Sequence, residues 1–116
     1  MATVNQIVDA ARVDADIVAR QIKDTSDQDP NGTNKAVQAK LDMLRLKHGD
    51  IRAEAAAAAA ATGDLAVALK ALLDAGEKLT KTANIMKNLT GFLNNVDEFA
   101  GYAQGAVDTL RSLPKA

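Results

Sequence analysis

Apolar residues recur along this chain at helical spacing. From Leu65 onward, Leu65, Leu72, Leu79, Met86, Leu93, Ala100 and Val107 stand seven apart. Ala68, Ala75, Leu89, Val96, Ala103 and Leu110 form a companion row three residues on, interrupted only at Thr82. A seven-residue repeat sustained this long keeps one seam of a helix turned toward a partner. Read as one helix from about 64 to 112, it predicts a rod on the order of 70 Å long at about 1.5 Å per residue. Gly76 and the Thr90–Gly91 pair are the positions where such a rod would kink or reverse, each glycine costing about 1 kcal/mol relative to alanine. A reversal near Gly91 gives an up-down-up-down bundle of four helices; without one, three helices form a hairpin whose last arm overhangs.

The first half supplies the other helices. Thr3 and Gln6 have the spacing of a capping box, so helix 1 is expected over about 3–25. Val4, Val8, Ala11, Ala15, Val18 and Ile22 share one face, while Val13 and Ile17 fall on the opposite side. A peripheral helix needs one apolar face; a helix with two is either central or meets a second chain. The polar stretch 26–33, with Asp29-Pro30 and Asn31-Gly32, predicts a loop. Helix 2 is expected over about 34–62, with Val37, Leu41, Leu44, His48, Ile51, Ala55 and Ala58 on its seam, Gly63 as its stop and Asp64 as the next N-cap. The fold class is therefore all-α: a single domain over 1–116, an antiparallel bundle of three or four helices with a long heptad-patterned C-terminal half.

Composition narrows the functional classes. Of the apolar residues, 24 are alanine and only 31 are larger, which supports one modest core. The seven consecutive alanines 55–61 are strong helix formers whose small volume permits close axis-to-axis packing. The net charge of −1 gives no electrostatic reason to seek nucleic acid. With no cysteine, disulfides, thiol chemistry and the common zinc sites drop out. The N-terminal residues do not read as a secretory signal and no apolar run spans a bilayer, so the expectation is a soluble chain made in the cytoplasm, with signal-less export as the alternative.

Candidate chemistry is sparse. His48 is the one side chain that ordinarily titrates near neutrality, but it lies on the expected seam between Leu44 and Ile51, as a core histidine would. Arg45 occupies the place where a carboxylate-bridged metal bundle needs an acid three residues before its histidine. The run Asp27 to Gly32 matches the first half of a calcium loop, yet the closing twelfth position is Gln38, the ninth Lys35, and the fourth Pro30. No catalytic residue, metal ligand or cofactor site is assigned.

The segment Ile85 to Leu113 carries the widest apolar stripe and both phenylalanines. The expectation is a non-catalytic structural or interaction subunit, of the assembly, filament, virion or secretion type by analogy. It would self-associate as a homo-oligomer or dock a partner helix through this seam, with Phe92, Leu93, Val96, Phe99, Ala100 and Val107 as anchors. The first alternative is a membrane-active or lipid-binding helical protein, although the charged residues of this stretch (Lys87, Asp97, Glu98, Asp108, Arg111) net −1 and attract no anionic lipid. The second is a calcium-responsive protein using the Asp27 loop.

Overall fold

The computed structural model describes all 116 residues as four helices and no strand: α1 Val4–Asp27, α2 Lys35–Ala57, α3 Ala66–Ala83 and α4 Leu89–Arg111. The molecule measures 47 × 22 × 17 Å, so it is a bundle and the rod is excluded. Successive helices run antiparallel. Around the bundle, α1 packs on α2 and α3, and α4 packs on the same two helices, which leaves α2 and α3 on a diagonal.

This arrangement makes two side-by-side pairs parallel. Lys40 bonds Asp97, Lys47 bonds Gln104 and Glu54 bonds Arg111; both partners rise together along the chain, so α2 and α4 point the same way. In the same sense Asp14 lies against Gly76 and Gln21 donates to the Met86 carbonyl, so α1 and α3 are parallel. The fold is two αα-hairpins laid side by side.

Helix starts follow the sequence closely. The Thr3 hydroxyl accepts from the Gln6 amide and the Gln6 side chain accepts from the Thr3 amide, completing the capping box. Asn34 caps α2 through Val37, and Asn88 caps α4 through Gly91.

Three boundaries differ from expectation. α2 ends at Ala57 instead of Thr62; Ala58–Ala60 tighten into a 3₁₀ turn and Ala61 is extended. Propensity favours helix here, but the C-terminal tail captures the backbone: the Thr62 amide donates to the Pro114 carbonyl at 2.8 Å and the Ala116 amide to the Ala60 carbonyl at 2.9 Å. Of the alanine run, Ala55, Ala58 and Ala61 are buried, so every third methyl faces the core. Gly63, at φ +83°, then reverses the chain. The cap of α3 falls at Leu65, one residue after Asp64, whose Oδ1 accepts from the Ala66 amide at the first helical position.

The break in the C-terminal half lies at Asn84–Asn88, ahead of Gly91. Met86 is buried inside that turn, so the seven-residue spacing runs on through it, although the next member, Leu93, is exposed and Phe92 beside it is buried. Gly91 sits in the first turn of α4, where a Cβ would come within 2.5 Å of the Ile85 carbonyl oxygen. It permits the close turn without forming it.

The core is one continuous cluster. Val37, Leu41, Leu44 and Ile51 of α2 meet Phe92, Val96, Phe99, Val107 and Leu110 of α4, with Leu72 and Leu79 from α3 and Ile7 and Val18 from α1. A buried side chain of this size contributes roughly 1.5–3 kcal/mol through area removed from water.

Candidate functional site

The six expected anchors divide unequally. Phe92, Val96, Phe99, Ala100 and Val107 are buried against the chain's own helices, and only Leu93 reaches the surface, at 36% exposure. The wide α4 stripe therefore closes the protomer's core, and a partner reaches it only if the bundle opens. A lysine ladder borders it on the outside: Lys40 Nζ to Asp97 at 2.8 Å and Lys47 Nζ to Gln104 at 2.6 Å, with Arg111 to Glu54 at 3.3 Å. His48 is half-buried beside this seam, less enclosed than a core position. Asp16 and Arg20, Asp74 and Lys78, and Glu77 and Lys81 stand four apart with the acid first, yet none of these pairs is among the ion pairs formed. Lys78 instead lies over the Tyr102 ring, 5.6 Å from its centre.

The second apolar face of α1 remains uncovered. Val13 is 56% exposed and Leu73, across from it on α3, is 54% exposed; Ile17, one turn further along α1, is half-buried. Together with Ala10 they border a groove of about 390 Å³ between the two parallel helices. A shallower extension past Gln6, Asp9 and Leu69 carries the groove toward the start of α1. Beyond Ile17 it opens into a polar cleft of about 440 Å³ near Arg20, Asp24, Asn84 and Lys87.

Asp14 lies at the floor of the groove. It is 1% exposed, and its Oδ2 is buried with no hydrogen-bond partner. Its Oδ1 occupies the space beside Gly76, where a Cβ would approach to 2.7 Å; glycine at 76 is what admits the carboxyl between the helices. Loss of hydration raises its pKa from 3.8 to about 7. Uncompensated burial of a carboxylate is costly, and such groups concentrate at binding and catalytic sites.

Asp14 also explains the row that α1 buries. The inward residues are Ile7, Ala11, Asp14, Val18, Gln21 and Thr25, at alternating steps of four and three. The sequence reading follows the adjoining row through Val4, Val8 and Ile22, all only half-buried, because the true row carries three polar residues. Two of those are satisfied: Gln21 Nε2 donates to Thr25 Oγ1 at 2.8 Å and to the Met86 carbonyl at 3.2 Å, tying the α3–α4 turn to α1. Asp14 is the one left without a partner. An acid inside a four–three row was the available signal.

The Asp27–Gly32 loop is organised around Asp29. Its carboxylate accepts from Gln38 Nε2 at 3.0 Å, from the Asn34 amide at 3.1 Å and from the Thr33 amide at 3.2 Å. These bonds, the Gln38 one foremost, hold its pKa below the ordinary value. Asp27 pairs instead with Lys23 at 2.9 Å. No three histidine or acidic side chains converge as a metal cluster, and no helix is long and apolar enough to cross a membrane.

What fold and groove define is an all-α four-helix bundle with one lateral face that is apolar at its rim and acidic at its floor. No family model, curated protein or solved structure matches the chain.

Proposed function

We propose that this chain is a non-catalytic helical interaction protein, and that it docks a helix in the α1–α3 groove instead of through the α4 seam. The observation that carries the reading is the exposure of Val13 and Leu73 on facing sides of the groove between α1, whose sequence has two apolar faces, and α3. Parallel ridges on α1 and α3 suit an amphipathic helix laid between them, its apolar residues at i, i+3/i+4 and i+7 entering the gaps.

The lipid-binding alternative has less support, because it needs the α4 stripe to open. A calcium response has less as well, because Asp29 already accepts four hydrogen bonds and Asp27 pairs with Lys23.

The test is binding of a fluorescent amphipathic helical peptide, followed by anisotropy, to the chain and to two charge-insertion variants. Leu73→Glu should weaken binding by about tenfold or more. Leu46→Glu, at a position 70% exposed on α2, should leave it unchanged. Equal loss in both variants, or no binding, would overturn the reading. Light scattering on the chain alone tests self-association, and a dimer abolished by Leu73→Glu would make a second copy the occupant.

A further inference from the structure

We propose that the α1–α3 groove selects a cationic amphipathic helix: its apolar side chains cover Val13, Ile17 and Leu73, and one lysine or arginine inserts between them to pair with the Asp14 carboxylate. The inference rests on the docking reading of the same face and adds the chemistry of the partner.

Three observations converge on a cation. Asp14 is 1% exposed, lines the groove and has a buried oxygen without a partner. Gly76 supplies no side chain to cover it, so nothing from that position stands between the groove and the carboxyl. The remaining charged groups lining the groove and its extension are Asp9 and Glu77, opposed by Lys81 alone. An ammonium or guanidinium arriving here would satisfy the orphan oxygen of Asp14 through a charge-assisted bond and meet a net acidic lining.

The length of the groove argues for a helix over a small amine. It extends from Gln6 and Leu69 to Ile17 and Lys81, about a dozen residues of each helix, or roughly 17 Å at 1.5 Å per residue. That is three helical turns. A second copy docked by a twofold axis through the groove would bring two Asp14 side chains toward each other and leave each without a counter-ion, so the charges favour a different chain.

The experiment uses helical peptides of about 18 residues that differ only at the central position: lysine, norleucine or glutamate. Each is titrated into the full chain and into Asp14→Asn near pH 8, where the carboxyl is ionised. The lysine peptide should bind the wild-type chain about tenfold or more tightly than the norleucine peptide, with glutamate weakest. Asp14→Asn should erase the lysine advantage while norleucine binding persists, which also shows the variant to be folded. Equal affinity for lysine and norleucine on the wild-type chain would overturn the cation inference and leave docking intact. A lysine preference that survives in Asp14→Asn would overturn it too, by assigning the effect to general surface charge. Failure of every peptide would sink the docking reading itself. Tight binding of hexylammonium with none of the lysine peptide would point to a small amine and contradict the helical partner.

Discussion

The two parallel helix pairs are built inside out with respect to each other. Between α2 and α4 the interior is apolar, with Leu41, Leu44, Phe92 and Phe99 fully buried, and the charges stand outside as a ladder of lysine and arginine bonds. Between α1 and α3 the buried centre holds a carboxylate, and the apolar residues Val13 and Leu73 stand at the rim. The first arrangement is what folding alone would select. The second costs stability in the free protomer, and a departure of that kind from patterning is expected where a chain meets something else.

The contrast predicts unequal responses to truncation. Phe99→Ala should destabilise the bundle by about 3–5 kcal/mol in urea titrations, because it removes a fully buried ring and leaves a cavity. Leu73→Ala, at a half-exposed rim position, should stay within about 0.5 kcal/mol. Similar losses at both sites would erase the distinction between core seam and free face.

Next in size is the effect of pH. Asp14 has a folded pKa of about 7 against 3.8 as its reference value, so between those values the native chain keeps a proton that the unfolded chain has released. Its contribution therefore favours the fold at acid pH and is lost as pH rises from about 4 to about 7, by up to roughly 4 kcal/mol. Asp14→Asn should flatten this fall and be the more stable protein near pH 8. Glu77 and Lys81, which line the same groove, remain in both proteins, so the difference between the two curves isolates Asp14. A wild-type stability that does not fall between pH 5 and pH 8 relative to the variant would contradict the burial of an unpaired acid.

A smaller effect tests the Asp14–Gly76 contact directly. Alanine at 76 gains about 1 kcal/mol of helix propensity but sets its methyl against Asp14 Oδ1. Gly76→Ala should destabilise the wild-type chain by about 1 kcal/mol and stabilise Asp14→Ala by a similar amount. The same sign in both backgrounds would show the two residues to be uncoupled. Smallest of all, Lys40→Ala should cost about 0.2–1 kcal/mol, since its partner Asp97 is largely exposed.

Much of the fold was legible in the sequence, for particular reasons. The Thr3–Gln6 box is a local signal and occupies its expected place; the polar loop follows α1 two residues late, and Gly63 marks the chain reversal but not the end of α2, which comes at Ala57. The α3–α4 turn was harder to place because Met86 keeps the seven-residue spacing through a break marked only by Asn84 and the Asn88 cap. The wide α4 stripe was legible as apolar, but not what covers it: sequence periodicity gives the direction of a face, and its partner comes from tertiary packing. For the groove, the sequence offered Val13 and Ile17 as a second face; Asp14 was visible as an acid in a four–three row, but that this row faces inward is set by the neighbouring helices.

The division between a sealed α4 seam and an open α1–α3 face is tested most directly by mapping backbone amide shifts of the isotope-labelled chain as the lysine-bearing peptide is added. The account predicts that the perturbed amides cluster around Val13, Asp14, Ile17, Leu73 and Gly76, with those from Phe92 to Val107 unmoved. Perturbations centred on Phe92, Val96 and Phe99 instead would contradict it and return the docking surface to the C-terminal helix.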